Sequence, residues 1–299
     1  MSPPPRPSPL EEWFSSRLFR ALAPRLPRAT QPPPPARLAP FDHVAVPRPG
    51  RRGSLAATWY PAPGATCRGA VLLVPPWLQW GKAYFHRRGR VQALRRSGYS
   101  ALAMDFPGFG GSGPPEGFFD RAVADGLAAL AERSGGAPLF VWGISSGGYW
   151  SHPVLSRTAG VAAAYFEDVS PHLLEWAGRH APWATPFHRV FRTLFPRSFR
   201  FLDLRRHAPH LRVERVAYVS GEDDPGVTPE DTRTLAHLAA ADGRPAEHRI
   251  VAAAGHLEAI KRQGSEVIAL ALATFDHRAS VLSTVCRGTP SPGGGGRSR

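Results

Sequence analysis

The feature that most constrains the fold is an alternation, from about residue 41 to 276, of short β-type runs with helical or loop segments. The predicted strands are residues 70–74, 100–105, 138–142, 161–167, 213–220 and 248–252. The predicted helices are residues 84–96, 119–133, 147–157 and 229–240. This alternation is typical of parallel strands joined by crossover helices, so we expect a mostly parallel sheet covered on both faces, in one α/β domain.

One connection is much longer than the others. Residues 171–211, between two predicted strands, are rich in aromatic residues and Arg. Phe residues at positions 187, 191, 195 and 199 follow the helical repeat, and Pro196 is expected to end or kink that helix. The sequence therefore predicts a helical lid inserted over the carboxyl edge of the sheet.

The two ends of the chain differ from the predicted domain. Residues 1–40 are rich in Pro and Arg and are expected to be largely extended or disordered, apart from an amphipathic helix at residues 10–22. Three alternatives fit this helix: packing on the protein's own surface, peripheral contact with an anionic membrane, or insertion into a groove of a partner protein. Residues 277–299 are basic, end in a Gly- and Ser-rich run, and are predicted to form a disordered tail.

The formal net charge of +14 is concentrated at the ends of the chain. Residues 1–53 hold nine Arg and three acids, and residues 277–299 hold four Arg and no acid, so the 223 residues between carry only +4. This distribution argues against a nucleic-acid-binding face on the domain. Two distant cysteines, Cys67 and Cys286, predict neither a disulfide framework nor a metal site. Without an apolar run long enough for a signal peptide or a membrane span, the chain is expected to be soluble and cytoplasmic.

A candidate nucleophile lies in the sequence Gly-Ile-Ser-Ser-Gly-Gly at residues 143–148. The G-x-S-x-G pattern follows the apolar run 139–142 and precedes a predicted helix, which is the context of a sharp strand-to-helix turn. Small residues on both sides tolerate the crowded backbone of such a turn and leave the serine hydroxyl clear of the sheet. Ser145 is therefore predicted to be a nucleophile.

A serine hydroxyl needs a neighbouring base, and His256 is the candidate. It follows Gly255 directly after the last predicted strand, where a loop at the carboxyl edge of the sheet would bring the imidazole over Ser145.

The acid that orients this histidine is expected in the loop after the preceding strand. Asp224, which directly precedes a proline in the turn into the next helix, is the preferred candidate. Its neighbours Glu222 and Asp223 would more naturally face water, and Asp168, just after the strand 161–167, is the alternative acid.

Ser145, Asp224 and His256, in this order, resemble the catalytic triad of the α/β-hydrolase superfamily. Residues 105–112 are similar to the D-x-x-G-x-G-x-S segment of these enzymes, and the resemblance covers roughly residues 55–275. It implies the α/β-hydrolase fold, with eight mostly parallel strands and a lid after strand six. It also implies a serine hydrolase that cleaves a small-molecule ester or thioester through an acyl-enzyme intermediate, with no cofactor.

The expected oxyanion hole departs from the pattern of the superfamily. Many members carry His-Gly after strand three, where this chain has Pro75 and Pro76, which have no N–H to donate. The backbone N–H groups of Trp77, or of Leu78, and of Ser146 are therefore the predicted donors.

Aromatic residues near the predicted site are candidate walls of an apolar substrate pocket: Trp77, Trp80, Trp176, Trp183 and Phe187. Three alternative functions stay open. They are an acyltransferase with the same triad, a peptidase in which an acidic lid residue such as Glu175 holds a substrate amine, and a binding or scaffold protein without catalysis.

Overall fold

The computed structural model describes residues 2–22, 31–64, 67–77, 80–180 and 185–276. The sheet has eight strands in the order β1-β2-β4-β3-β5-β6-β7-β8. Strands β1 to β8 are Asp42–Val46, Leu55–Tyr60, Gly69–Val74, Tyr99–Met104, Leu139–Ile144, Val161–Glu167, Arg215–Gly221 and Ala246–Val251. The β1–β2 and β2–β4 pairs are antiparallel and the other five are parallel, so the predicted mostly parallel sheet is confirmed.

The apolar composition of the central strands places them between two layers of helices. All residues of β3 and β4 are buried. Within β3, Leu72 packs into one core, whereas Val71 and Leu73 pack into the core on the opposite face. This alternation explains why the central strands read as continuous apolar runs.

Ten α-helices occur in the described part of the chain. Helices α1 to α10 are Pro9–Leu22, Ala83–Arg87, Arg90–Arg96, Asp120–Arg133, Ser146–Leu155, Leu173–His180, Thr185–Leu194, Pro196–Phe201, Pro229–Ala239 and Ala259–Phe275. The prediction of one helix over residues 84–96 was wrong. Gly89, with φ +72°, separates α2 from α3, because a left-handed residue interrupts the helical hydrogen-bond ladder.

The long connection between β6 and β7 is helical in its described residues, as predicted. It contains α6, α7 and α8, followed by two short 3-10 turns at Leu204–Arg206 and Ala208–His210. Pro196 ends α7 and begins α8, because proline fits the first turn of a helix but not its interior. Phe201 and Leu204 are buried in the core, which ties the end of this segment to the sheet.

The amphipathic helix near the N-terminus is present as α1. It packs on the protein's own surface near α8, yet its contacts are made by polar residues: Glu12, Ser15 and Ser16 are buried. Leu10 and Phe14, from the apolar stripe, are exposed. The predicted tail, residues 277–299, lies outside the described residues. Among the described helices, none is long and apolar enough to cross a membrane.

Candidate active site

Ser145 lies at the turn between β5 and α5. Its backbone has φ +50° and ψ −115°, a left-handed conformation that is rare for a residue with a side chain. A Cβ on Gly147 would overlap the carbonyl oxygen of Val74, and one on Gly143 would lie 2.6 Å from the Cα of Gly148. The close approach of β3, β5 and α5 therefore requires glycine on both sides of the serine.

The loops after β7 and β8 bring the two other predicted residues to Ser145. Ser145 Oγ lies 3.0 Å from His256 Nε2, and His256 Nδ1 lies 2.6 Å from Asp224 Oδ2. Asp224 is buried, and its Oδ1 accepts hydrogen bonds from the backbone N–H groups of Gly226 at 2.8 Å and Val227 at 2.9 Å. The arrangement allows His256 to accept the proton of Ser145 while Asp224 fixes the orientation of the imidazole.

The charges around His256 favour its protonated form. Burial lowers the pKa of His256, but the hydrogen bond that Nδ1–H donates to Asp224 and the negative charges of Asp168 and Asp224 outweigh the effect of burial, so the pKa is raised above its usual value. A raised pKa makes the imidazole a stronger base toward the serine hydroxyl at a pH where it is still neutral.

Asp168, the alternative acid, lies in the same site with a different set of partners. Its side chain is fully buried, Oδ1 accepts from Gly221 N at 3.1 Å, and Oδ2 accepts from Leu257 N at 2.8 Å. Burial, together with the nearby charges of Asp224 and Glu167, raises the pKa of Asp168 to about 7. Asp168 thus ties the loop of His256 to the end of β7, whereas Asp224 contacts the imidazole directly. The neighbours of Asp224 that were expected to face water are exposed: Glu222 and Asp223.

Asp168, Asp224 and His256 also place potential metal-ligand atoms within 4.8 Å of one another. Each of these groups is already engaged by hydrogen bonds to Ser145, to one another or to backbone N–H groups. These bonds account for the cluster, so we do not assign a metal to it.

The two predicted oxyanion donors lie on neighbouring segments. Ser146 is the first residue of α5, where backbone N–H groups have no partner within the helix, and its Oγ donates to Pro75 O at 3.4 Å. Trp77 follows this turn, and its ring stacks on Phe119 with 5.2 Å between centroids. Leu78, the other candidate donor, lies outside the described residues.

A buried carboxylate anchors the segment that follows Trp77, and sequence reasoning did not assign it a role. Asp105 accepts hydrogen bonds from Lys82 N at 2.7 Å, Lys82 Nζ at 2.6 Å and Gln31 Nε2 at 2.9 Å. Ser112, from the same sequence motif, donates to the Asp105 carbonyl at 3.0 Å. The signal in the sequence that could have pointed to this contact is that Lys82 is one of only two lysines in the chain.

A cleft of about 540 Å³ opens beside His256 and has a cationic lining. The residues that line it are Trp80, Tyr84, Arg87, Arg88, His256, Leu257 and Lys261. Arg87 lies over the ring of Trp80 at 4.0 Å from its centroid, and Lys261 pairs with Glu258 at 2.9 Å. The basic residues of the cleft were not predicted, although the adjacent Arg87 and Arg88 are visible in the sequence.

The expectation of an apolar pocket is corrected for this cleft. Of the proposed walls, Trp80 lines the cleft but shares it with basic side chains. The ring centroids of Trp176 and His180 lie 4.3 Å apart, and Trp176 would contact a Cβ at Gly226, which places Trp176 beside the loop of Asp224. Trp183 and the side chain of Phe187 lie outside the described residues.

Comparisons with known proteins agree with this architecture. Residues 67–210, which include Ser145 but neither Asp224 nor His256, match the family model described as serine aminopeptidase, S33. The Pyrococcus furiosus esterase Pf2001 is similar in structure, with a TM-score of 0.66, 17% identity and coverage of 86% of this chain and 98% of that chain. The α/β hydrolase GrgF from Penicillium sp. sh18 gives a TM-score of 0.59 and 15% identity, over 79% of this chain and 98% of that chain.

A puromycin-hydrolyzing peptidase of Mycobacterium tuberculosis gives a TM-score of 0.60 and 20% identity, over 79% of this chain and 38% of that chain. The comparison with curated protein sequences gave no match. At these identities the structural likenesses establish the fold and leave the reaction to be argued from the site.

Proposed function

We propose that this chain, which has the α/β-hydrolase fold, is a serine hydrolase that cleaves a carboxylic ester or thioester through an acyl-enzyme intermediate. The observation that carries the proposal is the continuous hydrogen-bonded chain from Ser145 through His256 to the buried Asp224. A serine on a strained turn, joined to a base that is itself oriented by an acid, is the arrangement that activates a hydroxyl for attack on a carbonyl.

The proposed reaction has two steps. In the first, Ser145 Oγ attacks the carbonyl carbon, its proton passes to His256 Nε2, and His256 returns that proton to the departing alcohol or thiol. In the second, water attacks the acyl carbon and gives a proton to His256, which passes that proton to Ser145 Oγ as the acyl–oxygen bond breaks, so that the acid departs and the serine hydroxyl is restored. Asp224 stabilises the imidazolium in both steps, and the backbone N–H groups of Trp77 and Ser146 are the proposed donors to the oxyanion.

An ester is favoured over a peptide by the surroundings of Glu175. A peptidase that holds a substrate amine would need an acid free to receive it, and Glu175 is the acid proposed for this role. In the structure it accepts a hydrogen bond from Arg205 at 2.6 Å. This pairing supports an ester or thioester as the substrate.

The cleft beside His256 also bears on the substrate. Arg87 and Arg88 make no ion pair within the part of the chain that the structure describes, and the positive charge of Lys261 is partly neutralised by its ion pair with Glu258. A substrate that carries a carboxylate or phosphate on the part facing this cleft would be attracted by the excess positive charge. We therefore include a negatively charged group in the proposed substrate class.

The test is labelling with a fluorophosphonate probe, which reacts with activated serines. We expect the wild-type protein to be labelled, and labelling to be lost in Ser145→Ala and in His256→Ala. Ser134→Ala, at a serine outside the site, is the matched control and should be labelled like the wild type. A panel of p-nitrophenyl esters of increasing acyl length then measures substrate preference. A folded wild-type protein that is not labelled would overturn the proposal and favour a binding or scaffold role.

A further inference from the structure

Helix α1 is docked with its apolar side facing outward. Leu10, Trp13 and Phe14 are 68%, 47% and 49% exposed, whereas Glu12 and Ser15 on the opposite side are 5% and 0% exposed. Spacings of three and four residues place the exposed side chains on one side of the helix. This orientation is the reverse of that of an ordinary surface helix, which buries its apolar stripe.

Specific polar contacts hold α1 in this orientation. Glu12 accepts a hydrogen bond from Arg6 at 3.1 Å, and Ser15 Oγ lies 2.9 Å from Ser198 Oγ. Glu11 Oε1 accepts from the backbone N–H of Ser198 at 2.8 Å, so this carboxylate caps the first turn of α8. The outward direction of the apolar residues is therefore fixed by contacts with the folded domain.

A second exposed apolar pair lies on α7. Val190 and Leu194 are one helical turn apart and are 48% and 63% exposed. Both α1 and α7 pack against α8, which begins two residues after Leu194. Within the described residues, the other exposed large apolar side chain is Ile250, at 38%. Isolated exposed apolar residues are common, but a concentration of them on two helices around α8 marks an interaction surface.

We call this surface the α1–α7 face; it comprises Leu10, Trp13, Phe14, Val190 and Leu194. Its charge is strongly positive. Arg17 lies over the ring of Trp13, with 3.9 Å between the guanidinium carbon and the centroid. Residues 185–202 contain four Arg and no acid, and these Arg side chains are exposed: Arg189, Arg192, Arg197 and Arg200.

We propose that the α1–α7 face docks the protein on an anionic lipid surface. Exposed Trp, Phe and Leu with adjacent Arg match the headgroup boundary, where apolar side chains enter the acyl region and guanidinium groups meet lipid phosphates. A second copy of the chain fits the face less well, because self-association would bring two Arg-rich segments together. The docking does not depend on the proposed hydrolase reaction, and it is measured by binding alone.

The test is co-sedimentation of the full chain with vesicles. We expect binding to vesicles of phosphatidylglycerol and phosphatidylcholine in equal parts, much weaker binding to pure phosphatidylcholine, and weaker binding in 0.5 M salt, since surface charge is screened. The double variant Trp13→Ala/Phe14→Ala should lose at least tenfold in affinity for the mixed vesicles. Ile250→Ala, which removes an exposed apolar side chain from β8, should bind like the wild type.

A second pair of variants tests the charge. Arg189→Gln/Arg192→Gln should reduce binding to the mixed vesicles by about tenfold or more, since each basic residue near the membrane contributes about fivefold. Arg133→Gln, an exposed Arg on α4, is the matched control and should have no effect. Absence of wild-type binding, or binding that Trp13→Ala/Phe14→Ala leaves unchanged, would overturn the proposal. If the wild-type protein is a dimer and Trp13→Ala/Phe14→Ala is a monomer, the α1–α7 face is instead a contact between two copies of the chain.

Discussion

The pH response of the site depends on the groups that surround His256. In the proposed reaction the imidazole must be neutral to accept the proton of Ser145. Burial lowers its pKa, but the hydrogen bond that it donates to Asp224 and the charges of Asp168 and Asp224 raise the pKa above its usual value. Activity should therefore fall as the pH is lowered through a value above the usual pKa of about 6.5. Burial and nearby negative charges raise the pKa of Asp168 to about 7, so Asp168 titrates in the same range. The acidic limb of the pH–activity profile therefore reports Asp168 and His256 together.

We predict that Asp224→Asn moves this acidic limb to lower pH, because it removes both the negative charge and the acceptor at His256 Nδ1. It should also lower kcat by roughly 10³- to 10⁴-fold, since the imidazole loses its orienting partner. The measurement is kcat/KM for an activated ester between pH 5 and 9. Asp223→Asn removes an exposed neighbouring carboxylate and should leave the limb in place. An unchanged limb in Asp224→Asn would contradict the role of Asp224.

The cleft beside His256 gives a second prediction for individual residues. Arg88→Gln should lower kcat/KM for 4-acetoxybenzoate, whose leaving group carries a carboxylate, by about tenfold relative to phenyl acetate, because a hydrogen bond to a charged group is lost. The ratio between the two esters cancels any general effect on the triad. Arg262→Gln, at an exposed Arg on α10 that does not line the cleft, is the control and should leave the ratio unchanged. An equal loss for both esters would contradict the proposed charge preference.

Among the secondary-structure elements, those with long apolar runs were predictable. The buried strands β3 to β7 appear in the sequence as short, nearly continuous apolar runs, which are typical of strands covered by helices on both faces of a sheet. The two antiparallel strands at the start of the sheet, β1 and β2, were not among the predicted strands. β1 is short, and most of its residues are exposed or half-buried. The break between α2 and α3 depends on the φ of Gly89, which apolar spacing does not report.

Helix α1 shows the limit of reading a helix from its pattern. The spacing of Leu10 and Phe14 predicted which residues share one side, and the structure has them together. The spacing could not predict which side of the helix packs against the domain. The buried Glu12 is stabilised by Arg6 and by Arg121, and Arg121 is far from Glu12 in the sequence. The cationic cleft was hidden for the same reason, since residues 80–88 and 256–261 meet only in the folded chain.

At the scale of the whole molecule, a buried ion pair joins the helical layer to the sheet beneath the site. Arg90 on α3 donates to Glu167 Oε2 at 2.5 Å, and Trp142 Nε1 donates to Glu167 Oε1 at 2.7 Å. Both charged side chains are almost fully buried. Burial lowers the pKa of Arg90, but the charge of Glu167 outweighs burial and raises it, so the guanidinium stays charged. The backbone carbonyl of Glu167 accepts from Ser145 N at 2.7 Å, which links the pair to the turn that carries Ser145.

We predict that Glu167→Gln lowers the free energy of unfolding by about 3–5 kcal/mol, because it leaves the Arg90 guanidinium buried without its counter-charge. For a domain of this size the midpoint of thermal unfolding should fall by roughly 10 °C. Arg233→Gln breaks an exposed pair with Glu230 on α9 and should change the unfolding free energy by less than about 1 kcal/mol. Urea unfolding followed by circular dichroism measures both variants. A Glu167→Gln protein as stable as Arg233→Gln would mean that Arg90 reaches water, and the helical layer would then not be joined to the sheet through this pair.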